Sequence, residues 1–160
     1  MLQLNQALLL SANLLKTLSS IVLVGLILSC SSQQPIPSCG ENPNTLYAKL
    51  GSQAGIEKIV DGLIQAIGRD QQIFHYFREA NVSHFRAGLI QHFCDIANGP
   101  CRYQGDSMQQ IHTGMNISEG DFNRLVELLI EVLEQLDYDI PIQNQLIARL
   151  APLRSQVIKI

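Results

Sequence analysis

The chain has no tryptophan, 6% aromatic residues and only 16% charged residues in a length of 160. It carries no block of basic residues, and its formal net charge is −3. A nucleic-acid partner is not expected, because a phosphate backbone is bound through clustered Lys and Arg. No stretch alternates apolar and polar residues with a period of two, so strands are not expected either. The four cysteines, Cys30, Cys39, Cys94 and Cys101, never fall at C-x-x-C spacing. That argues against a zinc site or a thioredoxin-like redox pair. What remains is 46% hydrophobic content rich in helix formers, enough for one all-α domain with a buried core.

Charge is scarcest at the start, where Lys16 is the single charged side chain before Glu41. Thr17 to Ser29 is a mostly apolar run, too short for a helix to cross a bilayer of ~30 Å but suited to a secretory leader. It ends Ile27-Leu28-Ser29-Cys30, which resembles a bacterial lipobox whose cysteine becomes lipidated. The expectation is a lipoprotein signal over 1–29 and a lipidated Cys30. A proline-bearing flexible linker would follow to residue 44, and then a domain over 45–160. An uncleaved anchor over Ala7 to Ser29 is the alternative, and it would have to accommodate Lys16. Either reading tethers the domain outside the cytoplasm, at the periplasmic face of a bacterial membrane. An exported domain can form disulfides, and Cys94–Cys101 across Gly99-Pro100 is one pairing; a bridge from Cys39 to either is another.

From Thr45 onward the apolar period is helical. Asn44 or Thr45 can cap a short helix over Leu46 to Leu50, stopped by Gly51. Ile56, Ile59, Val60, Leu63, Ile64 and Ile67 form one stripe, ended by Gly68-Arg69-Asp70. Ile73 to Phe77 predicts a helical turn. Ser83 is a candidate cap for a third long helix with Phe85, Leu89, Phe93 and Ile96 inward, closed by Asn98-Gly99-Pro100. Ser118-x-x-Asp121 opens a strongly apolar helix carrying Phe122, Leu125, Val126, Leu129, Ile130, Leu133 and Leu136. A last helix after Pro141 is expected to kink at Pro152.

Between Pro100 and Ser118 lies a segment with Met108, Ile111, His112 and Met115 at i, i+3, i+4 and i+7. A histidine on an oily stripe needs a partner for its ring nitrogens, either a backbone carbonyl or a metal. Spacing alone favours a core histidine satisfied by a carbonyl.

The residues around it add more. Gly99-Pro100, Tyr103-x-Gly105, Met108, His112, Ile117-Ser118 and Phe122 resemble the group I truncated haemoglobins. So do the opening Leu46-Tyr47-x-Lys49-Leu50-Gly51 and the late Ala151-Pro152-Leu153, so that the resemblance runs from Leu46 to about Val157. It implies a two-over-two helical sandwich around haem b, with His112 as the proximal ligand of the iron. A neutral imidazole is a good axial donor, and one protein ligand leaves the opposite face free for oxygen, nitric oxide or carbon monoxide. The resemblance places Phe77 flat on the porphyrin and Tyr103 near its edge. Ile64, Phe85, Leu89, His92, Phe93, Met108 and Ile111 are the further haem contacts it implies. An ordinary core aromatic is the alternative for Phe77, and a solvent-facing loop tyrosine for Tyr103. Arg86 and Arg102 are candidates to pair with the propionates, though for each a solvated surface arginine is the favoured reading.

The chain departs from that family on the distal side. Where members carry a tyrosine on the second helix it has Ile64, and where polar groups stand on the third it has Phe85, Gly88 and Leu89. A donor to bound oxygen contributes roughly 1.5 to 3 kcal/mol. Its absence is expected to raise the oxygen off-rate by about ten- to a hundredfold. A gas-binding protein that discriminates poorly in favour of oxygen is therefore expected, with His92 as a possible sixth ligand or channel wall. A nitric oxide dioxygenase or peroxidase is the enzymatic alternative, which would need stabilised oxygen and a reductase partner. A haem-free interaction lipoprotein is the third.

Overall fold

The computed structural model describes residues 42–160. The expected leader, Cys30 and Cys39 lie outside the described residues, as does most of the expected linker. Among the described residues there is no strand, and no helix is long and apolar enough to cross a membrane.

Helix α1 spans Leu46–Lys49, and Thr45 caps it by accepting from the Ala48 N–H at 3.1 Å. α2 runs Ser52–Arg69 and a 3-10 turn covers Phe74–Tyr76. α3 is Val82–Ile96, α4 Met108–His112, α5 Glu119–Gln135 and α6 Ile140–Leu150. A second 3-10 turn, Ala151–Gln156, follows directly.

The hub is α2, which packs against both α3 and α5. Its stripe at helical spacing explains this, since Ile56, Ile59, Val60, Leu63 and Ile67 are all at most 3% exposed. Each such aliphatic contributes about 1.5–3 kcal/mol on leaving water. Gly62 sets the distance to α5, because a Cβ there would come within 2.7 Å of a Val132 methyl. The long helices form a two-over-two sandwich, α2 with α3 and α5 with α6. Polar stitches close its ends: Tyr47 N–H donates to Ala97 O at 2.8 Å, and Tyr138 OH to Leu50 O at 2.6 Å.

Five expectations from the sequence need correcting. The cap of α3 is Asn81, accepting from the His84 N–H, rather than Ser83. Both residue types cap well, and only the entry angle of the chain chooses between them. The histidine helix stops at His112, so Met115 lies beyond its end. Leu136 follows the end of α5 and is 37% exposed rather than in the core. α6 does not continue through a kink at Pro152; it ends at Leu150 and tightens into the 3-10 turn. Proline lacks an N–H, and its ring collides with the carbonyl four residues back. Ile64 lies on the α2 stripe but is only half-buried, unlike its neighbours.

Candidate functional site

The sequence assigns Phe85, Leu89, Phe93 and Ile96 to one inward face of α3, but the structure separates two. Ile90, Phe93, Cys94 and Ala97, at i, i+3, i+4 and i+7, are the buried face, with Phe93 2% exposed. Phe85, Leu89, His92 and Ile96 form a second stripe beside it and are half-buried. Phe77 reaches the start of this second stripe, its ring 5.3 Å from that of Phe85 at an interplanar angle of 51°. Ile64 and Phe77 are half-buried as well. The result is an apolar wall neither sealed in the core nor free in solvent.

His92 is the one titratable group in that stripe. Its Nε2 is buried and has no hydrogen-bond partner. Burial pushes its pKa below the ordinary 6.5, and Asp95 opposes the shift only in part. The ring is therefore neutral near pH 7. Tyr103 packs edge-on against it, ring centres 5.1 Å apart at 69°. Burial also pushes the Tyr103 hydroxyl above its usual value, helped by nearby Asp106.

Tyr103 belongs to the loop between α3 and α4, and α3 holds this loop by several independent ties. Cys94 and Cys101 form a disulfide with Cα atoms 5.7 Å apart. The Asp95 carboxylate accepts the Tyr103 N–H at 3.0 Å, and the Gln91 side chain accepts the Gln104 N–H at 3.1 Å. Gly99 N–H donates to Cys94 O at 2.8 Å. Sequence reasoning missed Asp95 and Gln91, whose partners are backbone groups 8 and 13 residues away. No local pattern announces such bonds.

At the end of this loop, Ser107 and Gln110 form a reciprocal capping box that starts α4. In this one-turn helix the His112 Nδ1–H donates to Met108 O at 2.7 Å. The bond fixes the tautomer and leaves the lone pair on Nε2, which has no partner among the described residues. Both partners foreseen for the ring thus have a place: a carbonyl takes one nitrogen and the other is available to a metal. Met108 and His112 are half-buried, and Ile111 is 44% exposed. Among the helical elements α4 packs chiefly on the 3-10 turn Ala151–Gln156. It is linked to α3 mainly through the loop.

The two arginines considered for propionates are engaged within the protein. Arg86 grips Asp61 through two bonds, of 2.6 and 3.0 Å, with Glu57 at 3.7 Å. Arg102 pairs with Asp95 at 3.3 Å, though its side chain is 73% exposed.

An all-helical sandwich with a half-exposed apolar wall and a histidine held with Nε2 free is the arrangement of a globin-type protein. The model of the bacterial-like globin family matches residues 45–159, and the chain belongs to that family. Its relatives are group 1 truncated haemoglobins. The one from Tetrahymena thermophila is 29% identical over 92 residues, covering 58% of this chain and 76% of its own. That of a Nostoc strain is 30% identical over 90 residues, covering 56% and 76%. The crystal structure of Tetrahymena pyriformis truncated haemoglobin in its Fe(III) form superposes with a TM-score of 0.70. It is 22% identical, with 72% of this chain and 99% of that one aligned. Haem with its iron is accordingly the cofactor of this fold, and gas binding the function of the family.

Proposed function

We propose that the chain is a haem protein whose iron takes one protein ligand, Nε2 of His112, and binds a diatomic gas against a wall in which Ile64, Phe85 and Leu89 offer no hydrogen-bond donor. The observation that carries this reading is the 2.7 Å bond from His112 Nδ1–H to Met108 O, which holds the ring with Nε2 free. Among the described residues no three His, Cys, Asp or Glu side chains come together to hold a metal ion. A metal at His112 would need its other ligands from outside the described residues, as a porphyrin provides. Haem would supply an iron able to accept a gas molecule on its open face.

The residues present fit that group. Ile64, Phe77, Phe85 and Leu89 are apolar and only half-buried, which suits a surface that a flat hydrophobic molecule covers. Their part is to exclude water and present no donor to the gas. His92 continues the same stripe one turn further along as a neutral ring, its Nε2 enclosed and without a hydrogen-bond partner. Gas binding rather than oxygen-dependent catalysis follows from the missing donor, since catalysis would need a stabilised oxygen ligand and a separate reductase. Tethering through a lipidated Cys30, at the periplasmic face of a bacterial envelope, remains part of the reading on sequence grounds alone.

The test is an absorption spectrum of the chain produced with haem supplied. A Soret band that disappears in His112→Ala, with the ferric spectrum unchanged in His92→Leu, is the expected result. No band in the wild type would refute haem binding. A shift on replacing His92 would make that residue a second ligand.

A further inference from the structure

The histidine helix is one turn long and owes its position to something other than the helical sandwich. Besides the loop that delivers it from α3, its chief packing partner is the 3-10 turn Ala151–Gln156. The chain beyond that turn folds back and bonds to the segment immediately after His112. Gly114 N–H donates to Ile160 O at 2.9 Å, and Lys159 N–H donates to Ile117 O at 3.0 Å. Two left-handed residues make this fit possible: Gly114 at φ +82° and Lys159 at φ +53°. Glycine takes such a conformation freely, whereas lysine does so at a cost of about 1 kcal/mol or more. Val157 and Ile117, each 8% exposed, are buried on either side of these bonds. Arg154 adds an ion pair to Glu119 at 3.1 Å and lies 5.8 Å above the Phe122 ring.

We infer that residues Val157–Ile160 are a strap that positions the His112 imidazole, with Lys159 as its backbone anchor. The strap's hydrogen bonds reach the histidine segment and not the proposed wall on α3. Its hydrogen bonds hold Gly114 and Ile117, two and five residues past the histidine, and so restrain the turn on which the ring is mounted. Proximal geometry is thereby set from the end of the domain, while the loop from α3 controls the other end of α4. The inference rests on His112 being the iron ligand.

The Lys159 side chain is exposed, so its backbone can be altered without removing a side-chain contact from the core. Lys159→Pro deletes the N–H and forbids the positive φ. Lys159→Gly keeps the N–H and accepts that φ. With haem bound, the proline variant is expected to transfer haem to an acceptor apoprotein about tenfold faster than wild type. Its ferrous iron–histidine stretching band should shift or broaden, while the glycine variant stays at wild-type values in both measurements. A merely structural bond would lower thermal stability and leave the stretching band in place, and that result would overturn the inference. So would a glycine variant that behaves like proline, since side-chain loss would then be the cause. Should the proline variant fail to fold, Gly114→Ala strains the other bond at φ +82° and must change the same band. If the wild type shows no band dependent on His112, it is the haem reading that fails, and the two failures are told apart.

Discussion

Leu89 stands one turn before His92 on the half-buried stripe of α3, at a position where the truncated-haemoglobin resemblance leads one to expect a polar group. Ile64, Phe77 and Phe85 are hydrocarbon and Gly88 has no side chain, so the one polar side chain of the stripe is His92, a turn further along α3. Leu89→Gln would place an amide N–H there with little change in volume. Such a bond to a partly charged ligand contributes roughly 1.5–3 kcal/mol, so oxygen should leave the variant about ten- to a hundredfold more slowly. Carbon monoxide release should change far less. Stopped-flow displacement measures both rates, and an oxygen rate equal to wild type would show that position 89 does not face the ligand. At this scale the sequence was informative about types and ambiguous about direction. His112 was legible because its i−4 carbonyl lies within its own helix. Spacing put His92 on one side of α3 with Phe85 and Leu89, and the structure shows that stripe, but it set the adjacent Phe93 there too, and Phe93 belongs to the buried face.

At the level of elements, the loop from Ala97 to Ser107 decides how α4 stands relative to α3. It is tied to α3 by one covalent bond and a row of polar ones contributed by Gln91, Cys94 and Asp95. Closing a short loop by a disulfide contributes roughly 2–3 kcal/mol, largely by restricting the unfolded chain. Cys94→Ala combined with Cys101→Ala is expected to lower stability by about that amount, read as a fall in the thermal midpoint of roughly 10 °C for a domain of this size. An unchanged midpoint would mean that Asp95 and Gln91 hold the loop unaided. That helices stand on both sides of this loop was legible from apolar spacing, as was the Ser118–Asp121 box that opens α5, but the cap of α3 was not. The disulfide was one of several pairings the sequence allowed. Choosing among them required the left-handed Asn98 at φ +60°, which turns the chain so that Cys101 returns to Cys94. The Lys159 and Gly114 bonds were hidden for a related reason, since they join backbone groups 42 and 46 residues apart.

Across the whole molecule, three carboxylates bind separate elements together, and all three have depressed pKa values. Asp61 is lowered chiefly by the bond from Arg86, which joins α2 to α3. Asp70 is lowered chiefly by Arg124, which joins the end of α2 to α5. Asp121 is held at about 2 by the Ser118 hydroxyl first, then by Gln72 and Tyr76, which bring the 3-10 turn Phe74–Tyr76 against α5. For such groups the unfolded chain, with carboxyls near 3.8, takes up protons that the folded chain refuses. The stability they contribute is complete above about pH 5 and drains away as pH falls through 4 toward 2. His92 acts earlier in the same direction. Its folded pKa lies below 6.5, so the unfolded state gains a proton first and stability declines as pH drops below that value. Denaturant midpoints should therefore fall in two stages on acidification, a shallow one beginning near pH 6.5 and a steeper one below 4. Asp121→Asn should be weaker than wild type at pH 7 by about 2 kcal/mol, because amide and phenol no longer meet a charged acceptor. The difference should close by pH 2, where the wild-type carboxylate is itself becoming protonated. Comparing the two proteins cancels every effect of acid they share, release of haem included. A difference that persists unchanged at pH 2 would show that Asp121 acts by shape rather than by charge.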